Sequence, residues 1–395
     1  MQTSRMEKPV NSSNDLRGDH AAVARPSRRQ FVTRSAAAAF AACVAPPWSG
    51  VLTAQRSASR RDVPWLNEVL QPPAAVPAPP RPLTPILVDR GGRPITTMNA
   101  WTRRRTELER EWLDLLGSLD IKRQRPLVEI VEEERLDDVV RQRVRYLVEP
   151  DLQTEAYVLA PRQPGGKRPG AIVFHTTTPE SIRQPAGLAD VAEKHFALAL
   201  ARRGFVAFCP RNFLWPETTR MAAEEETRRF HRRHPRARGM AKMLFDGQAA
   251  VDILSARPDV DHTRIGCIGH SLGAKEALYL AAFDARVTAV VSSEGGIGTA
   301  MSNWDAEWYL GDAIKQPGFR HEHHELLALI APRPFLLVGG DSADGAASWP
   351  WVAAARPVYR LYGEPARLGL LNHKRGHSVP ADVEPRLLEW IETYA

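Results

Sequence analysis

An apolar run, Ile265-Gly266-Cys267-Ile268-Gly269, leads directly into His270-Ser271-Leu272-Gly273 and then into the helical pattern Ala274-Lys275-Glu276-Ala277-Leu278-Tyr279-Leu280. Few folds accommodate such a junction. A G-x-S-x-G segment between a core strand and a helix demands a tight turn, in which a side chain at 269 or 273 would meet neighbouring backbone. The turn lifts a serine hydroxyl above a sheet edge and aims a helix N-terminus at negative charge developing beside it. Ser271 is therefore the candidate nucleophile.

The surrounding chain agrees with that demand. Apolar runs predict strands at 127–134, 142–148, 154–160, 170–175, 205–209, 264–269, 287–292, 335–339 and 367–371. Helical patterns fall at 102–119, 190–203, 240–256, 272–283, 349–362 and 383–393. From the middle of the chain onward strand and helix alternate, which predicts an α/β fold: a mostly parallel central sheet flanked by helices. Two polar segments, 211–239 and 297–325, interrupt the alternation at the sheet edge where parallel sheets hold ligands, and are expected to shape a cleft. The basic run at 228–238 has a second reading, as a solvated helix face.

The net charge of +7 invites a nucleic-acid reading, but its distribution excludes one. Residues 1–61 hold ten Lys/Arg and three Asp/Glu, which accounts for the whole excess. No general affinity for polyanions is expected of the rest. The tail itself resembles a twin-arginine export signal: Ser27-Arg28-Arg29-Gln30-Phe31-Val32, then an alanine-rich run to Ala45, with Leu52-Thr53-Ala54 as a cleavage site. That run is too short for a stable membrane anchor, so export to the periplasm or beyond is expected. Cys209 and Cys267 lie in core-strand patterns and are expected to be buried thiols. Three regions follow: a signal and tail over 1–61, a proline-rich linker over 62–98, and an α/β domain over 99–395.

A serine hydroxyl needs a base within hydrogen-bond reach. His377, in the Gly376-His377-Ser378-Val379-Pro380 turn after the last strand, is the candidate, and His373 the alternative. The oxyanion donors are expected at the backbone N–H of Leu272 and at that of Thr176, with Thr177 as the alternative for the second. The acid that orients the base is open between two strand ends. Asp344, with Asp341 nearby, occupies the turn after 335–339. Glu294 stands at the end of 287–292, where a buried carboxylate is uncommon unless paired.

From about residue 125 the chain resembles the α/β-hydrolase superfamily, and more closely dienelactone-hydrolase-like and acetyl-xylan-esterase-like proteins and glucuronoyl esterases. The stretch His323-His324-Glu325-Leu326-Leu327-Ala328-Leu329-Ile330-Ala331-Pro332-Arg333-Pro334 is similar to the segment before the seventh strand of those esterases. The resemblance implies a serine esterase needing no cofactor. It implies Glu294, 23 residues after the serine, as an acid, and Lys275 as a contact to a uronate sugar. Where those enzymes carry an arginine directly after the serine, this chain has Leu272. The aromatic side chains of Trp304, Trp308, Trp349 and Trp351 are the right type to face sugar rings, and Trp304 is taken as substrate-binding. His321, His323 and His324 sit too close together on a helix start to converge on a metal, and none is expected. The expected activity is hydrolysis of a small-molecule or carbohydrate ester. The rivals are a serine peptidase or dienelactone-type hydrolase on the same fold, and a non-catalytic sugar-binding protein.

Overall fold

A computed structural model describes residues 62–123 and 126–395; the expected signal and tail over 1–61 lie outside them. Three strands, β1 (Val128–Arg135), β2 (Val139–Glu149) and β3 (Leu152–Pro161), form an antiparallel flank. Six more follow: β4 (Arg168–Phe174), β5 (Val206–Pro210), β6 (Val260–His270), β7 (Val287–Ser293), β8 (Phe335–Gly339) and β9 (Leu368–Asn372). Together they make one sheet in the order β1-β2-β3-β5-β4-β6-β7-β8-β9, parallel from β5 to β9. Burial explains the division. Every residue of β5 and β8 is buried, as covering on both faces requires of a parallel strand. On β2 buried and partly exposed positions alternate along much of the strand. The outermost strand, β1, carries Glu129, Glu132, Glu133 and Glu134, charges that discourage pairing with another chain.

Helices cover both faces. On one side lie α2 (Met98–Leu116), α5 (Gly239–Ser255), α6 (Leu272–Phe283), α7 (His324–Ile330) and α8 (Trp349–Tyr362). The other carries α1 (Leu66–Val69), α3 (Phe196–Arg202) and α9 (Glu384–Tyr394). All of α6 is buried, which suits its small residues and lack of a polar face. No described helix is long and apolar enough to cross a membrane.

Two expectations need revising. Residues 62–98 are not a free linker but belong to the same compact unit as the sheet. Val63, Leu66, Val69 and Leu70 are buried in the α9 cluster, and Ile86 and Ile95 in the other. Asp62 pairs with Arg367, and Trp65 Nε1 donates to Glu389 at 2.7 Å. The prolines keep this segment extended while its apolar residues fill grooves that would otherwise face water. Within 211–239 lies a helix, α4 (Ala223–Arg233), with Glu224, Glu225 and Glu226 in its first turn and Arg232 and Arg233 in its last, as the helix dipole favours. Arg228, Arg229, Arg233 and Arg236 pair with Glu224, Glu225, Glu149 and Asp120. The basic run is mostly a helix face whose charges are paired, two within the helix and two with Glu149 and Asp120.

Candidate active site

Ser271 sits between β6 and α6 with φ 57° and ψ −115°, a strained conformation for a residue with a side chain. The flanking glycines make the turn feasible. A Cβ on Gly269 would lie 2.2 Å from the carbonyl carbon of Gly273, and one on Gly273 would lie 2.7 Å from the Phe174 carbonyl oxygen. Both clashes are with backbone, which cannot rotate away. Gly269→Ala is expected to lower stability by roughly 3 kcal/mol or more, seen as a drop in Tm, and to abolish the geometry of the turn.

Three side chains converge here. His377 Nε2 lies 2.9 Å from Ser271 Oγ, and His377 Nδ1 lies 3.0 Å from Glu294 Oε2. These partners define the tautomer: Nδ1–H donates to the carboxylate, and Nε2 accepts from the hydroxyl. The two residues differ sharply in exposure. The His377 side chain is 44% exposed, whereas that of Glu294 is fully buried. Burial alone would raise the Glu294 pKa, but hydrogen bonds from His377 and from the Gly340 and Ala343 N–H groups outweigh it and hold the carboxyl below its ordinary value. Glu294 itself has φ 56°, held by its N–H to the Val338 carbonyl at 2.8 Å. Beneath His377 lies the buried His270 ring, 4.9 Å between centroids, its Nδ1 3.0 Å from Ser293 Oγ.

The turn after β8 therefore contributes N–H donors to the acid, and Asp344 makes no contact with His377. Its two carboxylate oxygens accept from the Gly296 N–H at 2.7 Å, the Ile297 N–H at 2.8 Å and Ser348 Oγ at 2.8 Å. It braces the loop that follows Glu294. Asp341 caps its own turn, accepting from Ala346 N–H and Asn372 Nδ2. His373 Nδ1 accepts from the Arg375 N–H and faces no hydroxyl.

The oxyanion side needs a correction of the same kind. Leu272 opens α6, where the first N–H groups have no partner within the helix. The Thr176 N–H, however, is engaged by Gln184 Oε1 at 3.3 Å, and Thr176 Oγ1 donates to the same oxygen at 2.8 Å. Buried His175 donates from Nδ1 to the Thr176 carbonyl at 2.8 Å and accepts the Asn212 N–H on Nε2 at 3.1 Å. Burial lowers its pKa to about 4, so it stays neutral in this role. Because a trans peptide points its C=O and N–H in opposite directions, this bond turns the Thr177 N–H away from His175. Thr177 is exposed and its N–H has no partner among the described residues. The available donor is Thr177 rather than Thr176. Gln184, Asn212 and His270 carried no sequence signal, since each acts through a contact between distant segments.

Lys275 and Trp304 are not free to meet a substrate as expected. The Lys275 ammonium donates to the Gly295 carbonyl at 2.8 Å and Ser302 Oγ at 2.7 Å, and lies 4.6 Å from the Trp304 ring. Burial pushes its pKa down to about 7, against the pull of the Asp344 charge. Trp304 is wholly buried and donates to the Gly296 carbonyl at 2.7 Å. Both hold the 294–304 loop from beneath. Trp349 and Trp351 are also buried, and His323 is enclosed by Trp112, Tyr279 and Trp304. Among the described residues no group of three His, Cys, Asp or Glu could hold a metal ion.

A parallel sheet, a strained serine after its central strand and a histidine after its last define the α/β-hydrolase fold. Residues 154–317 match the dienelactone hydrolase family. The chain is also similar to carbohydrate esterase MZ0003 from an unidentified prokaryote, 26% identical over 144 residues, 31% of this chain and 33% of that protein. A 4-O-methyl-glucuronoyl methylesterase of Phanerochaete carnosa is 23% identical over 201 residues, 40% of this chain and 47% of that protein. The matches thus span between a third and a half of these curated relatives. Among solved structures, a glucuronoyl esterase from Solibacter usitatus superposes with TM-score 0.62 at 19% identity, covering 81% of this chain and 99% of that one. A promiscuous CE15 esterase from a marine bacterial metagenome does so with TM-score 0.62 at 17% identity, covering 82% and 98%. These structural likenesses establish the fold.

Proposed function

We propose that the chain is a serine-dependent carboxylic-ester hydrolase acting on an acylated carbohydrate, with Ser271, His377 and Glu294 as its triad. The observation that carries this reading is the unbroken chain from Ser271 Oγ through both His377 nitrogens to Glu294, at 2.9 and 3.0 Å. As Ser271 Oγ forms its bond to the ester carbonyl carbon, its proton passes to His377 Nε2. Glu294 stabilises the imidazolium, and the N–H groups of Leu272 and Thr177 receive the oxyanion. The bond to the alcohol breaks as His377 returns the proton to it, leaving an acyl-enzyme. Water then attacks by the same route, Ser271 recovers its proton, and the carboxylic acid departs.

The carbohydrate part of the reading rests on the relatives, two of which act on sugar esters by name. The wild-type protein is expected to cleave acetylated oligosaccharides and p-nitrophenyl acetate but no blocked peptide. Peptide cleavage without ester cleavage would favour the peptidase reading instead. We propose export through the twin-arginine route as well, on the motif at Arg28-Arg29. Replacing both arginines by lysine is expected to retain the protein inside the cell, and unchanged export would refute the motif's role.

A further inference from the structure

A cavity of about 400 Å3 opens on the same sheet edge as Ser271 but beside other strands; Arg145, Gln153, Glu155, Arg211, Glu217 and Thr218 are among its lining. Topology fixes its position. Ala156, midway along β3, pairs antiparallel with Pro210 at the end of β5, so the first half of β3 extends past the exit from β5 on that edge. The parallel strands β5, β4 and β6 end on that edge in turn, and Ser271 follows β6. Two strand spacings separate the exits of β5 and β6, about 10 Å.

Glu155 organises the cavity. Its Oε1 meets Arg143 at 3.2 Å and Arg145 at 3.3 Å, and its Oε2 accepts from Thr218 Oγ1 at 2.8 Å with Arg211 at 3.7 Å. This fixes the guanidinium groups without using them up. The Arg211 side chain is only 10% exposed, yet its contacts are long, 3.5 Å to Thr218 and 3.7 Å to Glu155, both from Nη1. Its Nε and Nη2 have no partner among the described residues. These nitrogens face the cavity's solvent, where a ligand entering it can accept from them. Arg145 likewise keeps donors to spare.

We propose that this cavity is a second sugar-binding subsite, holding a unit of the same glycan whose ester reaches Ser271; it rests on the carbohydrate reading above. Fixed donors from Arg145 and Arg211 alternate with acceptors on Gln153 and exposed Glu217, the mixture that sugar hydroxyls, each both donor and acceptor, can satisfy. A phosphate would meet the two carboxylates, and Pro216 is the sole apolar side chain in the lining, too little to anchor a peptide.

The test is binding of a xylo-oligosaccharide to the Ser271→Ala protein, with and without Arg211→Ala. Loss of bonds to a charged donor is expected to weaken binding by on the order of tenfold or more, while Arg211→Ala alone leaves p-nitrophenyl acetate hydrolysis unchanged. If Arg211→Ala does not fold, Gln153→Ala at the exposed rim is expected to weaken binding less but in the same direction. Equal oligosaccharide binding with and without these substitutions, or none by the parent, overturns the subsite. Cleavage of small esters but of no sugar ester by the wild type would instead overturn the carbohydrate reading.

Discussion

Ser271→Ala is expected to lower kcat on p-nitrophenyl acetate by on the order of a million-fold, about 8 kcal/mol of barrier, with its thermal unfolding unchanged. The size of the loss follows from how the three residues act. The only hydroxyl bonded to His377 among the described residues is that of Ser271. Without Oγ there is no acyl-enzyme, and the Leu272 and Thr177 donors can only assist direct attack by water. Alanine at 271 keeps the strained backbone, because Gly269 and Gly273 still permit it and the Ser271 N–H still bonds the Ser293 carbonyl at 2.8 Å. A rate loss without a stability loss is therefore the signature to measure, by steady-state kinetics beside a melting curve.

The second large effect separates the two carboxylates. Glu294→Gln is expected to lower kcat by about ten-thousand-fold with little change in KM. The glutamine amide can donate to His377 Nδ1, which forces the proton onto Nε2 and leaves no acceptor for the serine hydroxyl. Asp344→Asn should behave otherwise. It removes an acceptor from the Gly296, Ile297 and Ser348 donors, and the expected cost is about 1–3 kcal/mol of stability with a rate loss under about tenfold. Burial raises the Asp344 pKa and those three donors lower it, with burial the larger effect. The folded protein therefore holds this proton more tightly than the unfolded chain, and the contribution of Asp344 to stability falls as pH rises through the raised value. Measuring kcat and Tm for both variants distinguishes an acid that acts on His377 from one that only holds the loop.

Much of this architecture is legible in the sequence. All nine strands overlap the stretches read as strands, most clearly β5 and β8, because a strand buried on both faces has to be apolar throughout. Ser271 and His377 are legible because the first needs two glycines at fixed spacing and the second follows the last strand. The allocation of hydrogen bonds is not legible. Glu294 and His377 are 83 positions apart, and no local pattern tells whether β7 or β8 supplies the carboxylate. The Gly339-Gly340 turn looked like a place to hold an acid; in the fold it brings backbone N–H groups to one. Thr176 and Thr177 are chemically alike in sequence, and only the bonds from Gln184 and His175 distinguish them. Lys275 and Trp304 have the residue types of a binding site, yet burial under the 294–304 loop gives them a supporting position instead. The proline-rich 62–98 stretch reads as a linker because composition records stiffness, not the grooves into which its apolar residues fit.

The most direct test of the Ser271–His377–Glu294 account is the mass of the protein after treatment with an alkyl fluorophosphonate. The account predicts one adduct, mapped to the peptide containing Ser271, absent from Ser271→Ala and formed far more slowly in Glu294→Gln than in Asp344→Asn. An adduct on another residue, or ester hydrolysis that persists at the full rate with Ser271 replaced, would contradict it.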